Sequence, residues 1–205
     1  PLLYTPWMDF PLNGNRKSGL LLPTVKAGSN GFELETPYYF NLAPNYDATL
    51  APHLMTDRGL AVSGESRYLQ PDYQGRAYGK WLPDDRKSDD NNRYEVTLQH
   101  QQRFTSNLTG GIDFNQVSDD DYVRDFGSRA DVQQSNHLNR QAWVDYNNEV
   151  WDGDFIARLQ VQKYQTLQNN QRTIDVPYQI MPRLSATYLK DFDPYHATLN
   201  VFGQF

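Results

Sequence analysis

The sequence predicts an all-β protein: a transmembrane antiparallel up-and-down β-barrel, present as a fragment of about eleven strands of a larger barrel. Three observations carry that expectation. First, eleven stretches alternate apolar and polar residues with period two, as in Tyr46-Asp47-Ala48-Thr49-Leu50-Ala51-Pro52 and Phe155-Ile156-Ala157-Arg158-Leu159-Gln160-Val161. That is the side-chain period of a strand. Second, the connectors alternate in length. Those near Pro44, Pro71, Ser106, Val150 and Asp193 are short, whereas 83–92, 118–136 and 166–172 are longer and polar. Short turns at one rim and longer loops at the other characterise outer-membrane barrels. Third, aromatic residues of the apolar register are sorted by depth. Tyr46, Tyr68, Tyr73, Phe104, Tyr146, Phe155, Tyr188 and Tyr195 fall at the short-turn end, and Trp81 and Tyr94 flank a long loop. Between them lie Ala48, Leu50, Val62, Ala77, Val96, Leu98, Ala142, Val144, Ala157 and Leu159. Amphipathic rings belong at headgroup depth in a bilayer. A soluble β-sandwich or soluble barrel, the competing reading, has no reason to sort them.

Taken in order, residues 1–17, with three prolines and an Asn13-Gly14-Asn15 turn, read as a lead-in. Strands follow at about 18–26, 31–42, 45–56, 59–70, 73–82, 93–104, 107–117, 137–147, 153–165, 174–190 and 194–205. Most are close to the roughly 9–11 residues a tilted strand needs to cross a bilayer. The polar register includes Asp47, Thr49, Arg67, Arg76, Lys80, Glu95, Arg103, Asp145, Arg158 and Arg183, and is expected to face the lumen. Leu50, Val96, Val144 and Leu159 are expected to face lipid. His100 and Gln102 fall on the lipid register of their strand, which suggests a bulge or a register error there. Because bacterial single-chain barrels have even strand numbers, an odd count of eleven predicts that the chain continues beyond Phe205. The want of a leader before Pro1 likewise suggests a mature start or a fragment.

Composition allows this reading. With 38% hydrophobic residues and a mean hydropathy of −0.78 across 205 residues, the chain looks polar for a membrane protein. A barrel needs an apolar residue only at every second position. A net charge of −6 and the lack of a basic stripe argue against nucleic acid, and the absence of cysteine decides nothing.

Catalytic signatures are weak. His53, His100, His137 and His196 sit on separate strands without metal-ligand spacing, and no Gly-x-Ser-x-Gly elbow or phosphate-cradling glycine loop occurs. No cofactor is implied. Asp84, Asp85, Asp89 and Asp90, then Asp119, Asp120 and Asp121, gather carboxylates in long loops. They read as solvated acidic loops, with divalent-cation binding as the sharper alternative.

Two other features point to function. Arg140 and Lys163 lie on the lipid register toward the long-loop end, side by side if their strands pair about the turn near Val150. A charge on a barrel's lipid face costs about 2–4 kcal/mol at mid-depth and about 0–1 near the interface. Lipopolysaccharide phosphates of an outer leaflet would turn that cost into a gain; the alternative is that both residues project beyond the hydrocarbon. Pro23 and Pro37 interrupt the first and second strands, almost opposite one another across a hairpin centred near Ser29. Proline donates nothing to a ladder and is normally confined to edges and bulges. Either the prolines protect an edge during assembly or they keep this part of the wall weak.

The residues Ser18-Gly19-Leu20-Leu21-Leu22-Pro23, Pro37-Tyr38-Tyr39-Phe40-Asn41-Leu42-Ala43-Pro44-Asn45-Tyr46-Asp47-Ala48-Thr49 and Pro52-His53 resemble the opening of the barrel in the LptD family, the lipopolysaccharide-assembly proteins of Gram-negative outer membranes. Tyr4-Thr5-Pro6-Trp7 and Arg16-Lys17 resemble that family's junction between periplasmic domain and barrel. The likeness is dense over residues 1 to about 70; further on it is one of strand rhythm and loop placement. It implies that 1–17 is the junction from a periplasmic domain and 18–205 the first strands of the outer-membrane barrel. It implies a lateral gate beside the first strand, with Pro23 and Pro37 at the positions where the family weakens its seam. It further implies lipopolysaccharide as cargo and an LptE-like lipoprotein plug in the lumen. A periplasmic bridge protein would be reached through the N-terminal domain, and outer-membrane lipids would surround the wall. The expected function is therefore non-enzymatic transport. A passive porin or substrate-specific channel is the alternative, since it would share the wall but need no proline-weakened hairpin. An outer-membrane hydrolase is third, and would need a triad-like cluster on one rim.

Overall fold

A computed structural model describes residues 16–89, 92–127, 136–168, 173–192 and 197–205, and its strands form one 13-stranded sheet in which every pairing is antiparallel. The first two expected strands are each cut in two. Gly19–Leu20 (β1) and Thr24–Gly28 (β2) flank Pro23, and Gly31–Glu35 (β3) and Tyr38–Ala43 (β4) flank Pro37. The wall continues through Tyr46–Met55 (β5), Gly59–Leu69 (β6), Tyr73–Leu82 (β7), Arg93–Arg103 (β8) and Leu108–Val117 (β9). It ends with His137–Val150 (β10), Gly153–Thr166 (β11), Ile180–Phe192 (β12) and Ala197–Gln204 (β13). From β4 onward each strand pairs with its successor, which is up-and-down order, and β1 and β13 lie at the two edges.

Register decides which face each side chain takes, because a slip of one residue turns a whole strand inside out. Asp47 pairs with Arg67, Arg67 with Arg76, Lys80 with Glu95, Arg103 with Thr109, Asp145 with Arg158, and Gln160 with Arg183. The expected luminal residues therefore share one face. Leu50, Val96, Val144 and Leu159 stand on the other and keep 45, 39, 39 and 48% of their surface exposed. A water-soluble sheet would cover such a continuous apolar face, whereas a barrel leaves it to lipid. The aromatic sorting holds too. Tyr46 lies opposite Tyr68, Phe155 opposite Tyr188, and Trp81 opposite Tyr94.

Three departures from the sequence reading have local causes. The tenth expected strand, 174–190, begins only at Ile180, and its pairing with β11 slips where Met181 and Pro182 stand against Val161. Pro177 and Pro182 lack the donors that would extend the ladder evenly. The suspected bulge at His100 and Gln102 is absent: β7 and β8 stay in register from Tyr73–Gln102 to Leu82–Arg93. His100 is instead satisfied on the apolar face. The Tyr68 ring lies over Gly75, where an added Cβ would sit 2.3 Å from its hydroxyl oxygen, and that hydroxyl meets His100 Nδ1 at 2.7 Å. Finally, the expected long loop after β9 contains a short helix, Tyr122–Phe126 (α1).

Buried apolar residues other than Ala51 gather in two patches at the long-loop end, not in a central core. One comprises Val117, Tyr122, Leu138 and Leu167, the other Met55, Ala61 and Leu82, and Phe126 of α1 packs against both. At the opposite rim β10 and β11 are joined through Trp151 and Asp152, both at positive φ (51° and 56°). A two-residue hairpin requires that conformation, and here Tyr188 Oη and Lys190 Nζ hold it by donating to the Trp151 carbonyl at 3.2 and 2.6 Å. Tyr195 and His196, like residues 1–15, lie outside the described residues.

Candidate functional site

The first hairpin is where the backbone ladder lapses. In an antiparallel hydrogen-bonded pair each residue both gives and accepts. Leu21 N donates to Pro37 O at 2.8 Å, but Pro37 has no N–H to return to the Leu21 carbonyl. One strand further in, Thr36 N donates to Pro52 O at 3.1 Å, and Pro52 likewise returns nothing. The register also changes at this level. Leu20 faces Tyr38 and Thr24 faces Glu35, so the three residues Leu21, Leu22 and Pro23 stand against only Thr36 and Pro37. Pro23 and Pro37 thus interrupt consecutive spans, and at the same depth Pro52 leaves β5 unbroken but returns no bond to Thr36. Pro23 and Pro37 are legible in the sequence; Pro52 gains its part from the pairing of β3 and β4 with β5.

Below this break, side chains supplement the ladder. Ser18 Oγ accepts from Asn41 N and the Arg16 carbonyl accepts from Asn41 Nδ2, both at 2.8 Å. Asp47, buried on the polar face, accepts two hydrogen bonds of 2.8 Å from Arg67 and one of 3.3 Å from Arg16.

Above the break, the loops fold inward around two arginines. Arg93, fully buried at the start of β8, reaches Asp119 at 2.6 and 2.9 Å, Asp125 at 2.7 Å and Asp85 at 3.2 Å. Arg58, in the turn after β5, reaches Asp85 at 2.6 Å and Asp125 at 3.1 Å. The Phe126 ring lies against three cations, with Arg58 and Arg93 at 4.8 Å and Lys80 at 5.1 Å from its centroid. These are cation–π distances. The expectation of solvated acidic loops fails at Asp85 and Asp119, which are spent on arginine, with Asp85 only 1% exposed, whereas Asp84, Asp89 and Asp120 are exposed as expected. Among the described residues no group of acidic and histidine side chains could hold a metal ion; Asp90 lies outside them. Arg58, Arg93 and Phe126 escaped the sequence reading. The one available signal was an arginine on the polar register of a strand that begins beside an acidic loop.

Arg140 and Lys163 are direct cross-strand partners on the apolar-facing register, as expected. Their environments differ. Arg140 donates to the Asn115 carbonyl at 3.2 Å and to Gln165 Oε1 at 2.6 Å, and its guanidinium lies 5.5 Å from the Phe114 ring. Lys163 is exposed and has no hydrogen-bond or ion-pair partner among the described residues. Elsewhere His53 Nε2 lies 2.9 Å from Glu33 Oε2 and His137 Nδ1 3.1 Å from Thr166 Oγ1, so the histidines serve separate local contacts.

A one-layer antiparallel wall with a polar face, a bare apolar face and aromatic ends is a section of a transmembrane β-barrel. Comparison with known proteins narrows this. Residues 91–205 match the family model described as LPS transport system D, or LptD, and the chain belongs to that family. The match lies wholly beyond the stretch where the sequence resemblance is densest. Relatives align across the chain: LPS-assembly protein LptD of Neisseria gonorrhoeae is 52% identical over 205 residues, all of this chain and 25% of the relative. The protein of the same name from Chromobacterium violaceum is 48% identical over 185 residues, 90% of this chain and 23% of the relative. That from Azoarcus sp. is 40% identical over 207 residues, 100% of this chain and 25% of the relative. The chain therefore spans about a quarter of the length of the relatives it matches.

The loop cluster has a pH signature. Burial alone would raise the Asp125 carboxyl, but the Arg93 hydrogen bond and the charges of Arg58, Arg93 and Arg124 outweigh it and hold it below the ordinary range. A depressed folded value means that this stabilisation is complete above the unfolded value of about 3.9 and disappears as pH falls through the folded one. The 19F resonance of 4-fluorophenylalanine placed at Phe126 should therefore stay constant from neutral pH down to about 5. It should move toward its solvent position only below about 4. Movement near pH 6 to 7 would mean that a group other than Asp125 holds α1.

Proposed function

We propose that this chain is the opening section of an outer-membrane translocon that inserts lipopolysaccharide into the outer leaflet through a lateral gate beside the first barrel strand. The relatives carry the name LPS-assembly protein, and the observation that carries the gate is the lapse of the ladder at Pro23 and Pro37. Each missing bond removes about 1 kcal/mol of net stabilisation, and a carbonyl left unpaired in hydrocarbon costs several more. A wall that must only stay shut gains nothing from such positions, whereas a seam that must part does. Transport on this reading is non-enzymatic, with the energy supplied elsewhere and the long-loop end facing outward. The polar face would line a lumen that receives an LptE-like lipoprotein plug. A periplasmic bridge protein would deliver cargo through a domain preceding the barrel.

Arg140 and Lys163 fit this reading as contacts for lipopolysaccharide phosphates near the outer interface. Lys163 is the freer cation; Arg140 would keep its hydrogen bonds to Asn115 and Gln165 and add a charge beside it. Replacing both with Gln should reduce co-purifying lipopolysaccharide while the fold survives. Unchanged lipid content would leave them as solvated residues at the rim.

The gate is tested by restoring donors. A Pro23→Ala/Pro37→Ala variant should strengthen the seam by roughly 1–2 kcal/mol, which corresponds to about five- to thirtyfold fewer open barrels. It should fold and insert, deliver less lipopolysaccharide to the surface, and leave cells leaky to large antibiotics. Normal delivery by a folded double variant would make the prolines edge protection only, and would favour a passive porin or channel wall.

A further inference from the structure

Resting on the reading of the first hairpin as the gate, we propose that Asn30 and Arg58 are positioning residues that latch the hairpin's tip to the inward-folded loop. Their contact, not the ladder, would keep the half of the gate beyond the prolines docked.

The half beyond the break, β2 and β3, is poorly held by its backbone. β2 pairs only with β3, and β3 meets β5 through Glu33, Leu34 and Glu35, with one further backbone bond from Thr56 N to the Phe32 carbonyl at 3.0 Å. At its base the Thr36–Pro52 pair has one bond of the usual two, and Leu22 and Pro23 fall outside any strand. Burial does not compensate. From Arg16 to Tyr46 every residue except Asn30 keeps appreciable exposure, and all of β2 is exposed.

Asn30 is 7% exposed and is the point of attachment. Its Oδ1 accepts from Arg58 Nε at 2.7 Å, and its Nδ2 donates to the Asp125 carbonyl in α1 at 3.4 Å. The same Arg58 binds Asp85 and Asp125 through its other nitrogens, so the tip is tied into the core of the cluster. The neighbouring backbone adds weaker ties. Lys87 Nζ donates to the Ser29 carbonyl, Phe32 N donates to Thr56 Oγ1 at 2.9 Å, and Asp57 N donates to the Asn30 carbonyl at 3.3 Å. The approach is close: at Gly31, with φ of +80°, a Cβ would come within 2.2 Å of Thr56 Oγ1.

This arrangement makes a lever. The prolines set a hinge at one depth, and the latch holds the far end. Losing α1 or Arg58 would release the tip as surely as changing Asn30, so the loop after β9 and the gate hairpin are mechanically linked through one side chain.

The test uses the full-length protein with its partners in the outer membrane and spin labels at Ala27, near the tip, and at Val62 on β6. Asn30→Ala removes a charge-assisted hydrogen bond, so a second, longer-distance population should appear. The ratio of released to docked tip should rise roughly ten- to a hundredfold. A control pair at Leu50 and Val96 should keep one distance, which separates release of the tip from general loosening of the wall. Adding Pro23→Ala and Pro37→Ala to Asn30→Ala should return the Ala27–Val62 distance toward a single population. A single unshifted population in Asn30→Ala alone would overturn the latch and leave the gate reading standing on its own test. A released tip with unaltered surface delivery of lipopolysaccharide would uphold the latch and overturn the hairpin's role as the gate.

Discussion

Backbone hydrogen bonds in hydrocarbon have no water to fall back on, and that constraint shapes this chain more than any side-chain contact. Every strand from β5 to β9 is paired along most of its length on both sides, so most polar backbone groups in this part of the wall are spent on a neighbour. With the ladder fixed, alternation assigns one face to lipid and the other to a polar interior. On the polar face Asp47–Arg67, Glu65–Arg76 and Asp145–Arg158 are cross-strand or diagonal ion pairs of 2.6–2.8 Å. Their arginines are 40–55% exposed, so each contributes little stability. They keep the interior wet and the register unambiguous.

Against that continuous ladder, the lapse at Pro23, Pro37 and Pro52 stands out as a choice made at backbone level. Side chains then take over beyond it. Two arginines and three aspartates at the long-loop end form a buried cluster in which removing one partner would leave charges uncompensated, a loss of about 3–5 kcal/mol. Strength has in effect been moved from the hairpin's backbone to the loops above it. A ladder zips along its whole length, whereas a cluster of few contacts lets go as a unit.

Much of the wall was legible in the sequence because lipid imposes a period that no soluble environment enforces. Leu50, Val96, Val144 and Leu159 announced the apolar face, and Arg140 and Lys163 were placed opposite one another by counting from a turn. The loops were not legible. Arg58, Asp85, Arg93, Asp119 and Asp125 are far apart in the chain and only Arg93 sits in a periodic pattern; α1 is five residues long and has no amphipathic repeat to detect. His100 was misjudged for a related reason. A histidine facing lipid looks like an error until register reveals that Gly75 clears a path for the Tyr68 hydroxyl two strands away. Pro182 was visible as a residue, but the slip it causes between β11 and β12 depends on the partner strand.

A ladder that lapses at the first hairpin should open there while β7 and β8 stay closed. Native-state amide hydrogen exchange on the full-length protein in bilayers measures this directly, because opening free energy is read segment by segment. Peptides spanning Thr24–Tyr38 should exchange far faster than those spanning Tyr73–Leu82 and Arg93–Arg103, with Thr36 among the least protected ladder amides. Equal protection across the three segments would contradict the account, since it would mean that the missing proline donors leave the seam as firmly shut as the rest of the barrel.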